Sequence, residues 1–423
     1  MYRLAKSLLW TAVTREPGPL LLRNVQPRPV PHLPRAGLYL HVPFCRDLCP
    51  YCPYNRWLYD EGLYALFEEA VKREIARTAE RTAIGQVPSL YVGGGTPTVN
   101  PEGLLRILEH LRRHFSPADV TCVELHPAWM PPETLARLRE SGVDMVSVGA
   151  QTFHDHHLKR IGRKHTAADG ADAVGNAVRA GFDTVNVDLM FVLPEQSLEE
   201  VQADAETAIA AGASQISTNP MLGFPYSQLG RQEGFRRVRR PNGRLTRRML
   251  TAIDRVARAG GLRRCAVWSW IKPDRRKFST VARHYYLGFG PGAASMTGDD
   301  LFFNTFHIEA YAEAVRRDSP VTLCLPLNRR LEMAYWLYWR LYEMQVGRAP
   351  FAKLFGRDLE THYGWLFLLP RALGCMRKAA HGYEVTDRGA YWIHRLQNAF
   401  SLDYITRIWS LCRREPWPQE VRL

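Results

Sequence analysis

The 423-residue sequence contains no apolar run long enough to cross a bilayer, so no segment reads as a membrane-spanning helix. A secretory leader also fits poorly, because the apolar stretch near the start is short and no small-residue cleavage site follows it. Acidic residues are scarce relative to basic ones: 42 Asp and Glu face 56 Lys and Arg, a net charge of +14. That imbalance favours anionic partners or surfaces without naming one. No nucleic-acid-binding fold accompanies the charge, so nucleic acid is not expected as a partner. Cysteine is sparse, at eight residues, and five of these (Cys122, Cys265, Cys324, Cys375 and Cys412) are scattered among apolar neighbours and read as packing thiols. Such usage excludes a disulfide framework and points to a reducing, cytoplasmic setting. The chain is too long for one compact core, and its 46% hydrophobic content is ordinary for a globular protein, so two domains are expected.

The other three cysteines stand together in Cys45-Arg46-Asp47-Leu48-Cys49-Pro50-Tyr51-Cys52, directly after the apolar run from Leu38 to Phe44. Three thiolates at this spacing can hold three irons of a 4Fe–4S cluster and leave the fourth iron open. A structural zinc site would need a fourth N or S ligand, and none is evident nearby. About forty residues on, Tyr91-Val92-Gly93-Gly94-Gly95-Thr96-Pro97-Thr98 runs an apolar strand into a glycine-rich turn. Consecutive glycines allow a ligand close approach and free the amides to bond it.

Short β-rich runs then alternate with longer helical stretches. Strands are expected at 37–42, 90–92, 120–125, 145–148, 184–190 and 215–218, with helices such as 63–81, 101–115, 131–141, 166–180 and 198–211 between them. This alternation predicts six parallel βα units with ligands at the carboxyl ends of the strands. Beyond about residue 325 the pattern becomes helical, with a turn-rich stretch at 381–389.

The two motifs, together with Val123–Pro127, Val146–Phe153 continuing to Arg163, Asn186–Pro194 and Leu287–Ser295, resemble the radical S-adenosylmethionine (SAM) superfamily. Within it they resemble the oxygen-independent coproporphyrinogen III oxidase-like family. The resemblance implies an α/β fold: a partial (βα)6 barrel over residues 37–325 and a mainly helical, winged-helix-like domain over 326–423, preceded by a basic, proline-rich arm over 1–36. It implies that Cys45, Cys49 and Cys52 ligate the cluster. It also implies that Gly93, Gly94, Gly95, Thr96, Glu124, Gln151, Arg163 and Asp188 contact SAM, and that a flavodoxin or ferredoxin supplies electrons. Tyr39 and His126 are the candidate catalytic side chains, His126 for proton transfer, and Trp268 and Trp270 are candidates to wall a substrate pocket.

The departures from the family set the expected reaction. Porphyrin-decarboxylating members carry a further cysteine two residues after the third thiol, where this chain has Tyr54. The haem-chaperone branch carries a His-Asn then Tyr-Trp motif before the closing glycines, and the stretch Trp268–Phe278 has none. A Trp followed by basic residues is similar to the branch that uses two SAM molecules. The expectation is therefore methyl or methylene transfer to an unsaturated carbon of a small, anionic or lipophilic substrate. Oxidative or ring-opening chemistry on a tetrapyrrole, and haem binding, are the alternatives. Two features remain outside this scheme. The arginine-dense run from Arg231 to Arg248 reads as a solvated face or a carboxylate or phosphate site, and Tyr2–Trp10 as a short amphipathic helix that packs on the barrel or touches a membrane surface.

Overall fold

The computed structural model describes residues 9–14, 18–234, 236–279 and 284–423. The stretch 2–10, expected to pack on the barrel or to touch a membrane surface, lies outside them except for its last two residues.

Six strands lie side by side in chain order: β1 (Gly37–Val42), β2 (Leu90–Gly94), β3 (Thr121–Leu125), β4 (Met145–Gln151), β5 (Thr184–Phe191) and β6 (Gln215–Pro220). All five neighbouring pairs are parallel, as registers such as Tyr39↔Tyr91, Val123↔Val146 and Asp188↔Ser217 show. Helices join them on the outside: α1 (Glu61–Arg81), α2 (Pro101–His114), α3 (Pro132–Glu140), α4 (Ala167–Arg179) and α5 (Leu198–Ala210). Local chemistry sets their starts. The Asp60 and Asn100 side chains accept from the third helical amide, Pro101 occupies a first turn where no amide partner is needed, and Thr166 and Ser197 each build a reciprocal capping box. The core is continuous from Leu38, Leu40 and Val42 through Val92, Val123, Val146, Val148, Val187 and Ile216.

Among the described residues the sheet does not close on itself. Beyond β6 it adds antiparallel β8 (Ser269–Ile271) and then β7 (Arg263–Ala266), after helix α6 (Gly243–Ala259). Beyond β1 it adds β9 (Tyr286–Phe289), which is parallel, and the antiparallel β10 (Ala294–Met296), β11 (Asp300–Asn304) and β12 (Val321–Pro326). The same edge ends with Leu21–Arg23 and Glu420–Arg422, one strand from each end of the chain. Part of the amino-terminal arm is thus sheet, a role that three residues of alternating burial do not announce.

The carboxyl-terminal part packs helices α7 (Arg329–Tyr342), α8 (Leu359–Ala372) and α9 (Asp387–Cys412) about a second core of Trp336, Phe351, Phe355, Tyr363 and Phe367. A three-stranded sheet of Gln345–Gly347, Gly382–Val385 and Met376–Ala379 forms the wing. Trp10 stacks on Phe400 of α9 at 6.1 Å, so the described start of the arm packs on this part. The arginines of 231–248 are exposed, and Arg239 pairs with Glu233.

Candidate functional site

The cysteine loop is cinched by its own backbone. Trp57 N–H donates to the Pro43 carbonyl at 2.6 Å, Tyr59 N–H to that of Cys45 at 2.8 Å, and Arg56 Nη2 to that of Cys49. Cys45 and Cys49 are buried and Cys52 is half-buried. The three sulfurs do not gather within 4.8 Å, as the donors of a single ion would. Thiolates on separate irons of a cuboidal cluster have no such need. Burial pushes the Cys45 thiol up to about 12, opposed by the Thr96 hydroxyl 3.6 Å away.

Three guanidinium groups surround this loop with buried nitrogens that meet no partner: Arg56 Nε, Arg163 Nε and Arg413 Nη1. Arg163 Nη1 lies 3.7 Å from Cys49 Sγ, and Arg413 is within electrostatic reach of Cys52 and Arg56. Buried cations without carboxylates are costly unless an anion joins them. A thiolate-bound iron–sulfur cluster and the carboxylate of SAM are such anions, so the residues present fit both groups.

The three glycines that end β2 and follow it are packed by close approach. A Cβ on Gly93 would lie 2.8 Å from the Glu124 carboxylate, one on Gly94 2.7 Å from the His41 ring, and one on Gly95 2.4 Å from the Phe44 carbonyl. The expected free amides are not free. Gly94 N–H donates to Glu124 Oε2 at 3.2 Å, Gly95 N–H to the Val42 carbonyl at 2.8 Å, and Thr96 N–H to the Phe44 carbonyl at 2.6 Å. The backbone groups this turn can still offer a cationic amine are carbonyls, which is the polarity an ammonium requires.

Glu124 near the end of β3 and Asp188 within β5 flank the intervening strand β4 and face the barrel mouth. Burial raises both carboxyls, Glu124 to about 7, although Tyr91 Oη donates to Glu124 at 2.5 Å and Ser147 Oγ to Asp188 at 2.7 Å. Asn186 Nδ2 also donates to Asp188, at 3.0 Å, and its Oδ1 accepts from Ser217 Oγ at 2.9 Å, extending a polar ladder across β4, β5 and β6. Gln151 sits where the β4–β5 register slips, with φ +70°, so the strand end turns its amide toward Gly149 and Arg163. The structure thus gathers the cysteine loop, Glu124, Gln151, Arg163 and Asp188 at the carboxyl ends of the strands.

Tyr39 and His126 have different surroundings. His41 Nε2 must donate to the Asn55 carbonyl, 2.8 Å away, so its Nδ1 accepts from Tyr39 Oη at 2.7 Å. The Tyr39 hydroxyl is therefore already engaged, and burial holds His41 neutral, its pKa lowered to about 4. His126 Nδ1 accepts from Ala128 N–H at 3.2 Å and caps a turn; burial and the nearby Arg163 lower its pKa to about 2. Only its Nε2 is left to meet a ligand.

One of the two tryptophans requires a correction. Ser269 faces inward, 3.0 Å from Ser217, so Trp270 beside it in β8 points outward by strand alternation. Trp270 has no exposed surface; its Nε1–H donates to Asp254 of α6 at 2.6 Å, and Arg264 covers the ring. It belongs to the core. Trp268 is 6% exposed, between Phe191 and His394.

Other residues surround the space above the site. Tyr54 exposes 55% of its surface, yet Glu124, Cys52, Asp188 and Tyr226 surround its phenol and burial raises its pKa, so that surface opens onto the barrel mouth. Half-buried Tyr286, Tyr335, Tyr338, Tyr342 and Tyr404 continue this wall, with Tyr286 Oη 3.3 Å from Tyr335 Oη and Tyr342 within electrostatic reach of Asp188. They come from β9, α7 and α9. On α7 the spacing 335, 338, 342 marks one helix face, the single signal in the sequence that could have revealed the wall.

Residues 39–208 match the radical SAM superfamily. The chain is 27% identical to the "Heme chaperone HemW" of Bacillus subtilis (strain 168), over 76% of this chain and 87% of that protein. It is also 27% identical to the "Oxygen-independent coproporphyrinogen III oxidase" of Bradyrhizobium diazoefficiens, over 66% of each. Among solved structures it is similar to coproporphyrinogen III oxidase (HemN) from Escherichia coli, described as a radical SAM enzyme. The TM-score there is 0.75 at 21% identity, covering 89% of this chain and 93% of that one, a likeness of fold.

Proposed function

From a radical SAM domain set in a coproporphyrinogen III oxidase-like chain, we propose a radical enzyme that acts on a tetrapyrrole held in the tyrosine-walled chamber above the cluster loop. The observation that carries this reading is the wall itself. Tyr54, Tyr286, Tyr335, Tyr338, Tyr342 and Tyr404 offer flat, amphipathic faces from four separate parts of the chain, over the carboxylates of Glu124 and Asp188. Aromatic faces suit a broad planar ligand, and their hydroxyls suit its polar edge. A cluster held by Cys45, Cys49 and Cys52 would supply the electron for reductive cleavage of SAM. An electron donor of the flavodoxin or ferredoxin type belongs to the same proposal.

The chain's own groups bind and orient. Cys45, Cys49 and Cys52 hold the cluster, and Arg56 and Arg163 balance its charge. Arg163 is the partner for the SAM carboxylate, the carbonyls of the glycine turn for its ammonium, and Glu124 and Asp188 for its remaining polar groups. Methyl or methylene transfer from a second SAM draws no support from the relatives, whose names concern haem and coproporphyrinogen.

A second reading, haem carriage without turnover, is favoured by the likeness to haem chaperones. Anaerobic incubation of the reconstituted chain with SAM and reductant, with haem or a porphyrinogen in parallel, separates the two. 5′-Deoxyadenosine formed together with a changed tetrapyrrole supports the enzyme. Stoichiometric haem binding without SAM consumption supports the carrier. Absence of any tetrapyrrole binding overturns both.

A further inference from the structure

The segment His154-Asp155-His156-His157 lies between Gln151 and Arg163, outside the barrel, against the amino-terminal end of α5. Three donors converge there. His156 Nε2 is 3.0 Å from Glu200 Oε1, His157 Nε2 is 3.1 Å from Glu200 Oε2, and all three ligand atoms lie within 4.8 Å of one another. The two imidazoles lie 4.0 Å apart, centroid to centroid. His157 is 1% exposed and its Nδ1 meets no partner, so its one polar engagement is with Glu200. Burying an imidazole whose Nδ1 meets no partner is costly, and a cation bound at Nε2 would offset that cost.

The surroundings are rigid. Glu200 is fixed by the capping box, accepting from Ser197 N–H at 2.8 Å. The histidine segment is anchored through Asp204, which is buried and accepts from Phe153 N–H at 2.6 Å, Thr152 Oγ1 at 2.9 Å and Gln196 Nε2 at 3.3 Å. Tetrahedral bonds of about 2.0–2.1 Å place neighbouring ligand atoms roughly 3.3–3.4 Å apart. The observed separations from Glu200 are within a few tenths of an ångström of that.

We infer that His156, His157 and Glu200 form a three-ligand site for a borderline divalent transition cation of the zinc type, tying the segment that carries Gln151 and Arg163 to helix α5. Two imidazoles and one carboxylate suit such ions, whereas calcium and magnesium prefer oxygen donors throughout. With the cation bound, each neutral imidazole carries its one proton on Nδ1 and offers the Nε2 lone pair to the ion. A fourth position, on the exposed His156 side, remains for water.

The test uses the tag-free full chain with its cluster reconstituted, so that Cys45, Cys49 and Cys52 are occupied. Zinc chloride alone is the probe, added by anaerobic equilibrium dialysis, with zinc and iron measured by mass spectrometry. His156→Ala removes an exposed ligand with little risk to folding. Glu200→Gln keeps a residue type that can complete the capping box but replaces the carboxylate with a weak ligand. Wild type should hold one zinc per chain at unchanged iron, and its melting temperature should rise with zinc. Each variant should bind about tenfold more weakly or worse and lose that rise. No zinc in the wild type, or equal affinity in either variant, overturns the site.

Discussion

Alanine at two adjacent glycines should fail in two different ways. At Gly94 the added Cβ meets the His41 ring at 2.7 Å, and the backbone stands at φ +113°, a conformation L side chains rarely adopt. That ring cannot yield without breaking its bonds to Tyr39 and Asn55. Backbone strain costs about 1–3 kcal/mol and two displaced hydrogen bonds about 1 kcal/mol each, so Gly94→Ala should lose about 3–5 kcal/mol. Asn55 also bonds the Pro291 and Phe306 carbonyls, so the damage spreads to the cysteine loop and cluster content should fall. At Gly93 the Cβ meets only the Glu124 carboxylate, the far end of a flexible side chain, and no left-handed backbone is involved. Gly93→Ala should therefore fold and keep its iron, while the displaced carboxylate weakens SAM binding about tenfold or more. The assays are thermal melting, iron content, and SAM affinity by anaerobic calorimetry. If Gly93→Ala binds SAM as wild type does, Glu124 is not a cofactor contact. If Gly94→Ala melts as wild type does, the packing argument fails.

Replacing Cys45, Cys49 and Cys52 together by Ala should abolish the cluster, and a full iron complement in that variant would refute the assignment. Arg163→Met should keep the cluster and bind SAM tenfold or more weakly, because a charge-assisted bond is worth about 1.5–3 kcal/mol; calorimetry checks this. Burial pushes the carboxyl of Glu74 from 4.5 up to about 7 beneath Gly290, Asn304 and Tyr311. A raised carboxyl costs stability above its folded pKa and nothing well below 4.5, so wild type should lose about 3 kcal/mol relative to Glu74→Gln between pH 4.5 and 7.5, read by denaturant titration. Trp270→Phe should lower the melting temperature through the lost bond to Asp254 and leave SAM affinity unchanged; altered affinity would return this residue to the site.

The sequence by itself determined whatever is local or periodic. The thiol spacing places Cys45, Cys49 and Cys52 on one loop, and the alternation of β-rich and helical stretches sets six parallel strands in order. Glu124, Gln151 and Asp188 could be read as strand-end residues because each belongs to a short segment with its own pattern. Only the tertiary structure decided the rest. Trp270 reads as a pocket wall from its neighbours, but the inward turn of Ser269 sends it to the core. The glycine amides look free until Glu124 takes that of Gly94 and Val42 that of Gly95. Arg56 and Arg413 reach the cysteine loop from positions more than 350 residues apart, and the tyrosine wall joins residue 54 to residue 404. The extra strands at Leu21–Arg23 and Glu420–Arg422 pair opposite ends of the chain. In each case the deciding contact joins segments with no shared periodicity, so its energy is realised only when the whole sheet has formed and the chain has returned to it.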